Sequence, residues 1–357
     1  MQPDLSHYQP DTLSAFEVET GFSAAKFLEE NWKALLQDDI EGYRLHLAFD
    51  TGHTPGFKTG YIGIRKNQVL LCIAPYFVTQ YALESSLKGT MQNILSQVKE
   101  QLPSLMTIKM LCVGSPVTDS CKLAISREYP FDPALIQVLN RTLATIAKKE
   151  NATLIAFKDV KDADYQLYGP ALKDLGYNAL PSMPLAINKI THGSVQDYLA
   201  SLSAKLRTDI QQKLSTARDI RIEEHQGIPP HLDDIYNLYL ESHAGQQSQS
   251  ELLTKKFFEY VAGLMPEQTR FVLYFKQNTL IAFNLLLHHQ GVVLDKYIGI
   301  NPAANAQHHI DCLSWIHNIE MCIRDGFHTY QSSREVYHTR NTMPAKLHDT
   351  HTLLKLA

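Results

Sequence analysis

Residues 295–297 set a carboxylate, an ammonium and a phenol in succession, Asp295-Lys296-Tyr297, inside the apolar run 292–299. That run is rich in branched residues and stops at Gly299-Ile300-Asn301-Pro302, so it reads as a β-strand. Strand alternation predicts Asp295 and Tyr297 on one face and Lys296 on the other. The carboxylate can then take a proton or hold a substrate ammonium, and the phenol can supply a proton. An ordinary polar pair on a strand surface is the competing reading. A second group, Ser332, Ser333, Arg334, Glu335, Tyr337 and His338, follows a predicted strand at 328–331. It lies at the carboxyl end of a strand, where α/β sheets commonly bind ligands. There Glu335 is another candidate base and Lys346 can hold a carboxylate or phosphate, with a solvated helix face as the alternative.

Lys205, Arg207, Lys213 and Arg218 make a locally basic stretch on a predicted helix at 195–217. Such a stretch can contact phosphates of tRNA or CoA. Asp209 and Asp219 interrupt it and no aromatic side chains interleave to stack on bases, so a solvated surface competes. His308-His309-x-Asp311 and His348-Asp349-Thr350-His351 do not match His-Glu-x-x-His, and no metal site is expected. The five cysteines are scattered among apolar neighbours, as reduced core thiols are. No Walker-A loop, Gly-x-Ser-x-Gly elbow or dinucleotide fingerprint is present, which removes the common NTPase, hydrolase and dehydrogenase readings.

These groups need elements to hold them. At 357 residues, 44% hydrophobic and 20% charged, the chain suits two globular domains. A formal charge of -4 gives no global footprint for DNA or an anionic membrane. The first residues lack a basic-then-apolar leader and no apolar run is long enough to span a bilayer, so a cytoplasmic protein without integral membrane contact is expected. In the first half the patterns predict a helix from about 22 to 36 and strands at 43–49, 60–65 and 69–77. A helix at 91–101, a strand at 108–114, a helix from Asp132-Pro133 to Lys149, a strand at 153–157, a helix ending at Gly176 and a strand at 184–187 follow. The second half repeats the order: strands at 270–276, 280–288 and 292–299, a helix at 304–325, a strand at 328–331, a short helix at 335–347 and a strand at 351–356. Crossovers of this length favour parallel pairing, so each sheet should be antiparallel first and parallel at the crossover. The junction is expected near 188–194, giving domains 1–190 and 191–357.

Several stretches stand in order along the chain. The most distinctive is Tyr198-Leu199-Ala200-Ser201-Leu202-Ser203-Ala204-Lys205-Leu206-Arg207-Thr208-Asp209-Ile210. Others are Val113-Gly114 with the downstream helix to Phe157-Lys158-Asp159, Leu175-Gly176-Tyr177, Thr254-Lys255-Lys256-Phe257-Phe258, and the segment from Tyr337 to Lys346. With the element order they resemble the FemAB-like, or Fem-type, branch of the GNAT (GCN5-related N-acetyltransferase) superfamily. The resemblance implies an α/β fold of two tandem GNAT-like domains, each a mixed, mostly antiparallel sheet flanked by helices, with the active site in the second. It implies an N-acyltransferase that moves an acyl or aminoacyl group from acyl-CoA or aminoacyl-tRNA to an amine of a small molecule, peptide or cell-wall precursor, without metal. A non-catalytic binding or scaffold protein that keeps the fold is the alternative.

Amine acylation needs a base for the amine, a donor for the oxyanion and an acid for the leaving thiolate or ribose oxygen. The expected place is where two neighbouring parallel strands of the second unit splay. Asp295, Tyr297, Glu335 and Tyr337 are then the catalytic candidates. Lys205, Arg207, Lys296, Ser333, Arg334 and Lys346 are the substrate contacts. Acyl-CoA enzymes of the superfamily carry Gln/Arg-x-x-Gly-x-Gly/Ala before the long helix, where backbone N–H groups meet the pyrophosphate. Here the loop is Asn301-Pro302-Ala303-Ala304-Asn305-Ala306-Gln307-His308, without glycine. Its small alanines still admit close approach, so Gly299, Asn301, Asn305, Gln307 and His308 are the expected cofactor contacts. The departure gives weight to an aminoacyl-tRNA or carrier-bound donor.

Overall fold

The computed structural model describes residues 15–82, 107–243, 252–333 and 344–357. These gather into two units: the described parts of Met1–Asp50, Thr54–Met183 and Asp349–Ala357, and those of Thr51–His53 and Pro184–His348. The first unit runs β1 (Phe16–Gly21), α1 (Glu29–Leu36), α2 (Tyr43–Gly52), β2 (Lys58–Lys66), β3 (Val69–Ala82), β4 (Thr107–Val113) and β5 (Ala124–Ile125). Then come α3 (Pro133–Glu150), β6 (Leu154–Lys161) and α4 (Asp162–Asp174). β1 to β4 form an antiparallel meander, and β4 pairs in parallel with β6 across the α3 crossover. The predicted helix at 91–101 lies outside the described residues.

α3 begins where the sequence marks it. The Asp132 side chain accepts from Ala134 N at 2.9 Å and Pro133 takes the first turn, while Asn151 in the left-handed region ends the helix. Its Leu135, Leu139 and Leu143 join Leu172 of α4 against Ile62, Leu111 and Phe157 on one sheet face. Trp32, Tyr61 and Ile73 occupy the other. Residues 43–49, expected as a strand, form α2 instead. Leu45, Ala48 and Phe49 are all buried, and their three- and four-residue spacing makes one helical face. The segment is aromatic but has no β-branched residue, so nothing local favoured extended backbone over that face.

On α2, His46 is buried against Trp32, with Nδ1 donating to the Gly42 carbonyl at 2.9 Å. Burial drives its pKa from 6.5 down to about 4. The unfolded chain therefore takes up a proton below pH 6.5 that the fold refuses until about pH 4. Stability present above pH 6.5 is lost through that window, by on the order of 3 kcal/mol. Urea unfolding of His46→Phe should show a shallower acid slope than the parent over that range; identical slopes would remove this assignment.

The second unit takes up the chain within β7 (Asn178–Lys189), whose residues 186–189 pair with β12. It continues through α5 (Val195–Ser201), α6 (Ala204–Ser215), β8 (Ile220–Gln226), α7 (Leu232–Ser242) and α8 (Lys255–Leu264). β9 (Thr269–Lys276), β10 (Thr279–His289), β11 (Val292–Ile300), α9 (Pro302–His308), α10 (Ile310–Arg324) and β12 (Thr329–Ser332) follow. β8 to β11 are antiparallel, and β11 pairs in parallel with β12 across α9 and α10. The last strand, β13 (Lys346–Leu356), pairs through residues 350–356 with β6.

Two predicted helices are each divided. At 195–217 the chain turns extended at Leu202, and Ser203 starts α6 by accepting from Leu206 N at 3.3 Å. At 304–325 the break is His309, held at φ 48° between α9 and α10. Of the predicted helix at 335–347, residues 335–343 lie outside the described residues, and Lys346 and Leu347 begin β13. All five cysteines are buried thiols. Among the described residues no helix is long and apolar enough to cross a membrane.

Candidate functional site

β11 parts from β12 partway along its length. The described parallel ladder runs from Val292↔Thr329 to Asp295↔Ser332, whereas β11 continues to Ile300 alongside β10. At the parting point the β10 register skips: Leu286 faces Asp295 and Leu285 faces Tyr297, so Lys296 is a bulge. One extra residue reverses the facing of everything after it. Asp295 points toward α10, where Asn318 Nδ2 donates to its Oδ2 at 3.2 Å. Tyr297 points toward α7 and α8, with its ring 6.2, 6.0 and 5.8 Å from those of Tyr239, Phe257 and Phe258. The expectation that Asp295 and Tyr297 share a face is thus corrected, because alternation fails across a bulge.

The three residues have different surroundings. Asp295 has no exposure and accepts from Asn284 Nδ2 at 2.9 Å, from Asn318 Nδ2 and from the Tyr330 hydroxyl. Lys296 is 2% exposed, its Nζ 5.9 Å from the Tyr297 ring centre and its carbonyl accepting from Ser333 Oγ at 2.9 Å. Burial pushes the nearby Cys322 thiol up to about 12, and the Asp295 charge adds to that. Asn284, Asn318 and Tyr330 were not singled out from the sequence. The available signal was a lone amide at a core position, Asn284 within a run of apolar residues and Asn318 on the buried side of α10.

The α9 segment is exposed at Pro302, Ala303, Ala306 and Gln307. Three of its expected cofactor contacts already serve the backbone. Asn301 accepts from Ala304 N at 3.1 Å, Asn305 Oδ1 from Asp311 N at 3.0 Å, and His308 Nδ1 lies 2.8 Å from the Thr216 carbonyl. Gly299 is required by packing: a Cβ there would stand 2.3 Å from the Phe283 ring and 3.1 Å from the Leu238 carbonyl carbon. Lys205 is exposed near the start of α6 and Arg207 Nη1 donates to the Ala200 carbonyl at 3.4 Å. Arg207 stands nine residues before Thr216, roughly 13 Å along a helix from the His308 contact. The fold therefore brings Asp295, Lys296, Tyr297 and Ser333 to one stretch of chain, and sets Arg207 apart from the α9 contact at His308. Lys346 is exposed at the start of β13, and Arg334, Glu335 and Tyr337 lie outside the described residues.

The corresponding place in the first unit is filled by its own loop. Beyond the last β4–β6 pair, Val113↔Phe157, Cys121 N donates to the Asp159 carbonyl at 3.0 Å, and residues 117–122 are buried. Asp119 N donates to Glu41 Oε1 at 3.0 Å, while Lys122 Nζ sits 2.8 Å from Asp39 Oδ2 and 3.0 Å from Glu41 Oε2. Burial pulls the Lys122 ammonium down, but the two carboxylates outweigh it and hold the ammonium well above the lysine range. Buried charges thus pin this loop in the first unit.

A family model described as peptidoglycan biosynthesis/recognition, the FemAB-like family, matches residues 115–355. Among solved structures, FemX covers 95% of this chain and 97% of its own at 11% identity and a TM-score of 0.56. A tandem GNAT protein from the clavulanic acid biosynthesis pathway covers 95% and 98% at 8% identity, also with a TM-score of 0.56. The C-terminal domain of a putative lysylphosphatidylglycerol synthetase from Agrobacterium fabrum covers 93% and 92% at 13% identity and a TM-score of 0.54. Putative 8-amino-7-oxononanoate synthase 2 from Mycobacterium tuberculosis is 25% identical over 191 residues, 53% of this chain. The chain spans 25% of the length of those curated relatives. The fold is that of tandem GNAT proteins, and with a family match over well more than half its length the chain belongs to the FemAB-like family.

Proposed function

We propose that the protein is an N-acyltransferase that passes an acyl or aminoacyl group to an amine at the parting of β11 and β12. The carrying observation is the coincidence, within three residues, of the ladder's end at Asp295↔Ser332 and the bulge at Lys296. A bulge beside a strand end re-aims side chains and main chain together, which suits a group that must meet a developing oxyanion. Tyr297 is the proposed acid for the leaving group, with Lys296 and Ser333 lining the same stretch. The enclosure of Asp295 favours another group, such as Glu335, as the base, with Tyr337, Arg334 and Lys346 as further contacts. Both donor classes stay within the proposal: one structural neighbour is described as being without AcCoA, and another is named as a putative lysylphosphatidylglycerol synthetase. The acceptor is an amine on a small molecule, peptide or cell-wall precursor, met in the cytoplasm. Purified protein should acylate amine acceptors from a CoA thioester or an aminoacyl-tRNA; failure with both donor classes across an acceptor panel would overturn the proposal.

One observation favours a second reading, a binding protein without chemistry: Asn301, Asn305 and His308 are engaged within the fold rather than facing a ligand. Turnover abolished by a substitution at Tyr297 would remove it. The donor question also has a separate handle in α6, where Lys205 is exposed and Arg207 partly so. If that helix end holds tRNA, Lys205→Glu with Arg207→Glu should lower tRNA affinity by about tenfold or more at fixed salt. Unchanged affinity in a filter-binding titration would leave CoA thioesters as the favoured donor.

A further inference from the structure

β11 loses its β12 ladder and reverses its facing within two residues, and a buried carboxylate stands at that point. Asp295 ends the described ladder with β12, and its carbonyl accepts from Ser333 N at 2.9 Å. The bulge begins at the next residue. Its side chain is gripped from three elements: Asn284 on β10, Asn318 on α10 and Tyr330 on β12. The grip extends outward, since Tyr274 OH donates to Asn284 Oδ1 at 3.3 Å and Asn318 Nδ2 lies 3.2 Å from Tyr330 OH. All of these groups are buried.

An ionised carboxylate offers only acceptors, so it can satisfy several converging donors at once; an amide in its place must turn an N–H toward one of them. Buried polar clusters of this kind hold one arrangement when complete and loosen when one member is wrong. Asp295 also faces away from Tyr297 and has no exposure, a poor situation for a group that must meet a substrate amine.

We propose that Asp295 is a positioning residue: its carboxylate, tied to Asn284, Asn318 and Tyr330, sets the point where β11 leaves β12 and thereby aims Lys296 and Tyr297. It takes no proton from substrate. The catalytic part rests on the acyl-transfer reading above; the structural tie does not.

The test exchanges the carboxylate within the cluster. Asp295→Asn alone should speed amide hydrogen exchange across residues 296–300 by about tenfold or more and lower kcat/KM by roughly 10–100-fold, the scale of a misplaced reacting group. The double variant Asp295→Asn with Asn284→Asp satisfies every donor again, since the carboxylate at 284 accepts from the amide at 295 and from Tyr274 OH while the amide oxygen at 295 still accepts from Asn318 and Tyr330, and should restore both. Tyr330→Phe, which keeps the ring, should move both readouts the same way by less, and serves if Asp295→Asn does not fold. Unaltered exchange in Asp295→Asn, or in Tyr330→Phe where it stands in, overturns the tie. Restored exchange without restored turnover, together with loss of the acid limb of the pH profile, overturns the positioning role in favour of proton transfer at Asp295. If the parent protein transfers no acyl group, the acyl-transfer reading fails by itself while the exchange comparison still decides the tie.

Discussion

Replacing Lys122 by methionine is expected to lower the unfolding free energy by roughly 3–5 kcal/mol, the usual cost of taking one partner from a buried ion pair. The lysine side chain is 4% exposed and lies between Asp39, 28% exposed, and Glu41, 3% exposed. Methionine keeps the apolar stem and removes only the charge, so packing loss is a small part of the effect. What remains is a buried Glu41 that has lost the ammonium 3.0 Å away, still accepting from the Asp119 amide. Adding Asp39→Asn and Glu41→Gln should recover most of the loss, because neutral partners no longer need the ammonium. Urea unfolding at neutral pH of the three proteins checks this. A loss below about 1 kcal/mol for the single variant would mean that water reaches the carboxylates and the loop is not pinned.

Much of the fold was legible because its strongest elements announce themselves locally. Asp132-Pro133 and the leucine face of α3 specify one helix without tertiary help, and the Gln277-Asn278 turn between β9 and β10 is written in turn residues. Where local signals were mixed, packing decided. α2 reads as aromatic and extended, yet Leu45, Ala48 and Phe49 bury together only as a helix. β1 and β8 escaped notice because their inward positions are few: only Phe16 of β1 and Ile220 of β8 are buried. No pattern in residues 346–356 tells which strand β13 will join, since register is chosen by the surface that receives it.

The site was legible in its residue types and not in its geometry. Asp295-Lys296-Tyr297 stood out as polar residues in an apolar strand, and the fold does gather them with Ser333. Their facing came out differently because a bulge is one residue of register against the neighbouring strand, and a single strand's sequence carries no record of its partner's count. The asparagines around Asp295 were visible as letters, but their meaning depends on three elements far apart in sequence converging on one carboxylate.

Removing one hydroxyl, Tyr297→Phe, is expected to lower kcat for acyl transfer by about 10²–10⁴-fold, the range for losing a positioned proton donor. The ring itself is held edge-on by Tyr239, Phe257 and Phe258, and phenylalanine keeps those contacts, so stability should change by under about 1 kcal/mol. KM should stay near the parent value, because a proton given to a departing thiolate or ribose oxygen stabilises the transition state and not the bound donor. Leaving-group dependence separates this role from mere packing. With a thiophenyl ester as donor, whose thiolate departs without needing a proton, the difference between parent and variant should shrink to within about tenfold. A loss of equal size with both donors would place the effect in geometry, and an unchanged kcat with the CoA or tRNA donor would take Tyr297 out of the chemistry.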